Sequence, residues 1–303
     1  VFSKIVSSFF LLFGGAFAGA FLFTPIVYST IRFFYPAVAW PFSRVFDRVA
    51  MFFALILIYW QRHTFHLSLI KPYLIQGSFN RRVNLILVGV FLSLLPSIGA
   101  LLIILADSKL RWGNFSYSLL AWKMFTVVPA ALIISFIEEI TFRIILLGAL
   151  LKRLPVWLAA SVSSALYALV HFISPVKDFA YPKFEALAGV RYAEEVILRI
   201  LSPGSFEAAI GLFLVGILLC SVIQRSTSLF LCIGLHTGWV IILKFARFTT
   251  RAEGDFRFAS GIGERYFLVA ESIGWASIIL VGILTHFYLH YKSKDEAITN
   301  SVV

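Results

Sequence analysis

Apolar residues fill long, nearly unbroken stretches of this chain, and polar ones collect in the intervals between them. Eight apolar spans stand out, at about residues 6–32, 43–61, 83–106, 120–152, 156–176, 206–224, 227–244 and 266–291. Each is near the ~20 residues that an α-helix needs to cross a bilayer. In hydrocarbon every backbone N–H and C=O must find its partner within the segment, so the pattern predicts helices and no sheet. The first span carries Gly15 and Gly19 in GxxxG spacing, which suits close helix packing. The second opens with Arg44, Asp47 and Arg48, which places its start in the interface. The fourth is too long for one straight crossing, so its tail at Lys152 and Arg153 must protrude or tilt.

Two connections are long. Within 177–205, the apolar positions from Phe184 to Leu201 alternate with Glu194, Glu195 and Arg199, the pattern of an amphipathic helix lying on a membrane. Residues 245–265 carry Arg247, Arg251, Arg257 and Arg265. No repeat and no low-complexity tract interrupts the chain, so residues 1–303 read as a single membrane domain. Lys and Arg divide almost evenly between the two sides, and the positive-inside rule therefore selects no orientation.

Composition turns the pattern into a class. The 303 residues are 60% hydrophobic, 17% aromatic and 14% charged, where a soluble domain has about 25% charged residues. A soluble globule of this size cannot cover 32 Phe with polar surface. A soluble enzyme, a disordered chain and a disulfide-stapled secreted domain are excluded. The expectation is an all-α, polytopic helical membrane protein with about eight transmembrane helices. It is a multi-pass protein of the bacterial cell membrane or, in a eukaryote, of the endoplasmic reticulum. Its net charge of +11 fits loops that touch anionic headgroups, so the lipid bilayer is an expected partner and nucleic acid is not. Cys220 and Cys232 fall in apolar runs and read as buried free thiols. No cleavable signal peptide is expected, because the first apolar run is too long and lacks a small-residue exit site.

A charge at mid-bilayer costs at least ~2.5–3.5 kcal/mol on insertion scales, which makes intramembrane ionisable residues functional candidates. They are few here: Glu138, Glu139 and Arg143 on span four, His171 on span five and His236 on span seven. Glu271 and Lys123 lie nearer span ends, where snorkelling accounts for them. Glu138 and His171 stand equally far in sequence from the Leu154-Pro155 turn, so at ~1.5 Å rise per residue both sit about 24 Å from it. Glu139 and Arg143 are i, i+4 and can pair. Glu138 is turned about 100° away and is freer to face His171. Gly234 and Gly238 lie two residues either side of His236, so they can pack a neighbouring helix while His236 faces a cavity. Plainer readings stand beside these. Buried Glu–Arg pairs hold helices together, and a lone intramembrane His is often a hydrogen-bonded helix contact. His286 and His290 are i, i+4 without a carboxylate and read as interfacial, as do His63 and His66. No HExxH and no GxSxG occurs.

Residues Glu138-Glu139-Ile140-Thr141-Phe142-Arg143 form an EExxxR motif. Tyr167-Ala168-Leu169-Val170-His171 resembles an FxxxH motif, with Tyr in place of Phe. Gly234-Leu235-His236-Thr237-Gly238-Trp239 resembles a third, His-bearing motif. In order and membrane placement the three resemble the CPBP family: CAAX prenyl endopeptidases of type II (the Ras-converting kind) and bacterial bacteriocin-processing or immunity relatives. The resembling core is about residues 120–245.

The resemblance implies an intramembrane hydrolase, a glutamic protease. Glu138 would activate water, His171 would hold that water, and His236 would hydrogen-bond the carbonyl; Glu139 and Arg143 would support them. The substrate it implies is a membrane-anchored protein, of the CAAX type when prenylated at its C-terminus, and the 184–201 segment would gate it. One position departs from the family pattern. The third motif often continues as HxxxN, and Val240 stands at that Asn, so a side-chain donor for the oxyanion is missing or supplied elsewhere. A non-catalytic immunity or interaction protein on the same scaffold is one alternative, and a proton-coupled transporter is another. No cofactor and no metal is expected. Two His with a Glu do admit zinc with an open position, but Arg143 competes with a cation for the carboxylates, and the motifs put no two ligands at i, i+4 on one helix.

Overall fold

The computed structural model describes residues 2–37, 40–61, 63, 71–75, 77–172, 176, 179–181, 185, 187–201, 204–226, 228–253 and 261–301. The helices are α1 (Phe2–Phe34), α2 (Phe42–Trp60), α3 (Lys71–Ile75), α4 (Phe79–Ala106), α5 (Tyr117–Glu139), α6 (Gly148–Leu150), α7 (Val156–Phe172), α8 (Ala188–Ile200), α9 (Ser205–Ser226), α10 (Leu229–Thr249), α11 (Gly261–Ala270) and α12 (Ser272–Ser301). A π-helical segment, Ile140–Leu147, joins α5 to α6. Each of the eight predicted spans falls on one or more of these helices. Five stretches, in α1, α4, α9, α10 and α12, are long and apolar enough to cross a membrane, and α7 is a shorter apolar helix. The protein is a multi-pass helical membrane protein; about eight crossings were expected, and five helices meet this measure among the described residues.

Two details differ from the expected architecture. A short antiparallel pair is present where no sheet was expected: β1 (Leu110–Trp112) runs against β2 (Thr250–Ala252), with Arg111 opposite Arg251. It closes the ends of α4 and α10, outside the apolar spans, where a backbone ladder carries no membrane cost. The eighth span, expected as one helix over 266–291, is broken at Glu271. Tyr266 has non-helical φ and ψ, and the Trp275 indole donates to the Val269 carbonyl at 2.8 Å. Gly274 meets the Leu268 carbonyl so closely that a Cβ has no room there. Glu271, read as a snorkelling residue, lies 3.6 Å from the Lys109 ammonium. Asp107 beside Lys109, helped by Glu271, holds that ammonium above its ordinary pKa.

By contacts the chain forms two compact units: Val1–Leu67 with Val170–Ser202, and Ser68–Leu169 with Pro203–Val303. In the first, α1 packs on α2 through the predicted glycines. A Cβ on Gly15 would meet Leu57 at 3.0 Å, and one on Gly19 would meet the Phe53 ring at 2.6 Å. An aromatic core follows, with Phe42 centred 4.9 Å from Phe179 and 5.2 Å from Tyr192. The amphipathic helix expected over 184–201 is α8; Phe184 lies outside the described residues, as do His66 and Arg257. Its Ala188, Gly189, Tyr192 and Val196 are buried, while Val190, Ile197 and Leu198 are exposed.

In the second unit α10 is the central helix. It crosses α4 at backbone contact: a Cβ on Gly89 would meet the Leu231 carbonyl at 2.7 Å, and one on Gly238 would meet the Val90 carbonyl at 2.9 Å. Gly234 abuts Ile86 in the same way. On α5 a narrow stripe, Ala131, Ser135 and Glu139, is buried at i, i+4 spacing. Cys220 and Cys232 are buried free thiols, as expected.

Candidate active site

Three helices of the second unit bring the site together. The glycines of α10 face α4, which turns His236 toward α5, as their i ± 2 spacing predicts. The Nδ1 of His236 lies 2.9 Å from Oε1 of Glu139. The other oxygen, Oε2, accepts from Arg143 Nε at 3.1 Å, and both side chains of that pair are fully buried. The i, i+4 pairing of Glu139 with Arg143 is therefore present; its extension to His236 was not foreseen.

Glu138 sits differently. Its side chain is 27% exposed, and Oε2 lies 3.7 Å from His236 Nε2. The two adjacent acids thus reach opposite nitrogens of one imidazole: the sealed one touches Nδ1, and the partly exposed one turns its buried Oε2 toward Nε2.

Tyr167 on α7 completes the cluster. Its hydroxyl lies 3.4 Å from His236 Nε2, and the Arg143 guanidinium carbon stands 4.9 Å from its ring centroid. Phe142 packs edge-on against the same ring at 5.2 Å. The α7 helix is fastened to the π-helical segment by Ser163, whose hydroxyl donates to the Phe142 carbonyl at 3.1 Å. Arg143 keeps two buried guanidinium nitrogens, Nη1 and Nη2, without a hydrogen-bond partner.

The hydrogen-bond pattern constrains the imidazole. Glu139, paired with a guanidinium, is a carboxylate and can only accept. His236 Nδ1 must therefore carry its proton, and in the neutral ring Nε2 presents a lone pair. That lone pair can accept from the Tyr167 hydroxyl or from water. Among the described residues, no three His, Cys, Asp or Glu side chains gather in a way that would hold a metal ion.

The structure brings together Glu138, Glu139, Arg143 and His236 from the predicted set, and adds Tyr167, which the sequence offered only as a motif residue. His171 lies in the last turn of α7, in the segment from Val170 that groups with the first unit. His286 is engaged elsewhere: Arg225 Nη1 lies 2.6 Å from its Nδ1, and its ring stacks on His290. Lys123 lies over the Phe248 ring at 4.0 Å, so a cation–π contact joins the snorkelling expected of it.

No curated protein and no solved structure matches the chain. A family model does, over residues 120–242: Rce1-like, described as type II CAAX prenyl endopeptidase Rce1-like. The matched stretch begins in α5 and ends in α10, and it holds every residue of the cluster. Residues 120–242 are thus similar to the Rce1-like family, which is consistent with the resemblance carried by the three motifs.

Proposed function

We propose that the protein is an intramembrane endopeptidase that cleaves a membrane-anchored protein of the CAAX type by Glu-activated water. The observation that carries this reading is the division of labour between adjacent acids. Glu139 is sealed against Arg143 and His236, while the Glu138 side chain is partly exposed, with its buried Oε2 beside Nε2 of the same imidazole. A base must reach water, and a structural ion pair must not.

In this reading Glu138 takes the proton of the attacking water and returns it to the leaving amine. The Glu139–Arg143 pair fixes the ring of His236 and its tautomer. With the proton on Nδ1, a neutral His236 cannot donate to the substrate carbonyl, the role the resemblance gives it. In this reading the single proton of the Tyr167 hydroxyl turns from His236 Nε2, 3.4 Å away, to the carbonyl, and it stands in for the side chain that Val240 does not supply. His236 then accepts at Nε2 and stabilises charge as protons move. The water-holding role of His171 rests on the resemblance alone. The reaction needs no metal in this scheme.

The test uses protein reconstituted in vesicles with a prenylated CAAX peptide. Glu138→Gln is expected to lower kcat by about 10²–10⁴-fold with an unchanged melting temperature. Exhaustive chelation is expected to leave wild-type turnover intact. Equal turnover by the variant would remove Glu138 from the mechanism. Zinc that leaves with activity and restores it would recast the same residues as ligands.

A further inference from the structure

A second polar feature lies away from the site, between α9 and α12. A groove of about 280 Å³ runs there, walled by Leu214, Leu218, Ile278 and Ile279 and closed at one end by Arg225 and His286. Among the described residues, no acidic side chain lines it. Arg225 Nη1 lies 2.6 Å from His286 Nδ1. A guanidinium only donates, so that nitrogen accepts and the ring proton of neutral His286 sits on Nε2. The polar end thus offers N–H donors and a full positive charge.

Thr285 adds an independent sign. It lines the same groove, is 2% exposed, and its hydroxyl has no hydrogen-bond partner. A buried hydroxyl left unpaired in an apolar wall is accounted for if a ligand acceptor reaches it. Between Leu214 and Arg225 the α9 axis rises about 16 Å, on helices apolar enough to cross a membrane. The fitting molecule therefore carries an anionic acceptor head, a polar group just beneath it, and a hydrocarbon chain. We propose that this groove is a binding site for one anionic phospholipid. Its phosphate lies against Arg225 and His286, an ester oxygen meets Thr285, and one acyl chain fills the apolar trench.

The experiment is native mass spectrometry of the full chain released from detergent micelles, titrated with dioleoylphosphatidylglycerol or dioleoylphosphatidylcholine. Phosphatidylglycerol is expected to bind the wild type more tightly than phosphatidylcholine. Arg225→Gln should weaken phosphatidylglycerol about fivefold, the effect of one basic side chain near the membrane surface. It should weaken phosphatidylcholine less, because that lipid's own ammonium partly neutralises its phosphate. Thr285→Val should weaken both lipids, and Arg153→Gln, a charge-matched control at another turn, should weaken neither. If Arg225→Gln does not fold, Ile279→Trp, which fills the trench without touching the charge, must abolish binding. Equal affinity for the two lipids, an unaffected Arg225→Gln, or displacement of the lipid by millimolar inorganic phosphate would each overturn the proposal.

Discussion

The two units fill their interiors by opposite means. In the first, Phe42, Phe46, Phe179, Tyr181 and Tyr192 are packed ring on ring. Several of its polar groups are locally answered: the Tyr28 hydroxyl donates to the Trp40 carbonyl at 3.0 Å, and the Val176 N–H donates to the Tyr192 hydroxyl at 3.0 Å, although the Gln61 amide is buried with neither Oε1 nor Nε2 bonded. In the second, Glu139, Arg143 and His236 are buried together. Aromatic surface stabilises wherever it is packed, whereas a buried charge is tolerable only while every partner is present. Damage to the first interior should be graded with lost area; damage to the second should be abrupt. The second arrangement is the costlier one, and it is the one in which the proposed active site lies.

The sharpest break of this comparison is Glu139→Gln. It leaves Arg143 buried without its counter-ion, and the expected loss is about 3–5 kcal/mol of stability together with activity. Thermal unfolding in detergent reads the first and peptide cleavage the second. A stable, inactive Glu139 variant beside an unstable Glu138→Gln would exchange the roles given to the two acids. Phe42→Ala in the aromatic interior should also cost about 3–5 kcal/mol, through a cavity. There, unlike at Glu139, Phe42→Leu should recover most of the loss, because area and not charge is at stake. Tyr167→Phe separates chemistry from packing: kcat should fall about 10²–10³-fold, as for other lost oxyanion donors, with the ring packing kept. The smallest effect is expected from Tyr192→Phe, which leaves the Val176 N–H without its acceptor at a cost of about 1–3 kcal/mol and does not alter the cleavage chemistry.

Much of this was legible along the chain, for reasons that can be named. Long apolar runs specify helices because nothing else satisfies a backbone in hydrocarbon. Gly234 and Gly238 announced which side of α10 meets another backbone, and so which side His236 uses. The Glu139–Arg143 pair followed from helical spacing alone. Three features had no local signal. His236 and Glu139 are far apart in sequence, so their contact belongs to the crossing of α10 and α5. The strands Leu110–Trp112 and Thr250–Ala252 are three residues each, too short for a two-residue period to register. The break at Glu271 sits within an apolar stretch, and it shows only in three dimensions, in the packing of Gly274 on the Leu268 carbonyl and the bond from the Trp275 indole to the Val269 carbonyl.

The π-helical segment has a consequence for how the gene can change. Ile140–Leu147 is wound with i→i+5 hydrogen bonds, and it lies between the two acids and the turn that leads into α7. Removing one residue from it would let the segment relax to ordinary α pitch. A π-helical residue turns about 82° and an α-helical one about 100°, so seven residues at α pitch in place of eight at π pitch would turn everything upstream by about 45° relative to everything downstream. Glu138 and Glu139 would swing off the imidazole, though no functional residue had been altered. This stretch should therefore tolerate conservative substitutions at most positions and no change of length, whereas the exposed connection at residues 113–116 should accept insertions. A deletion scan across both segments would read that contrast directly.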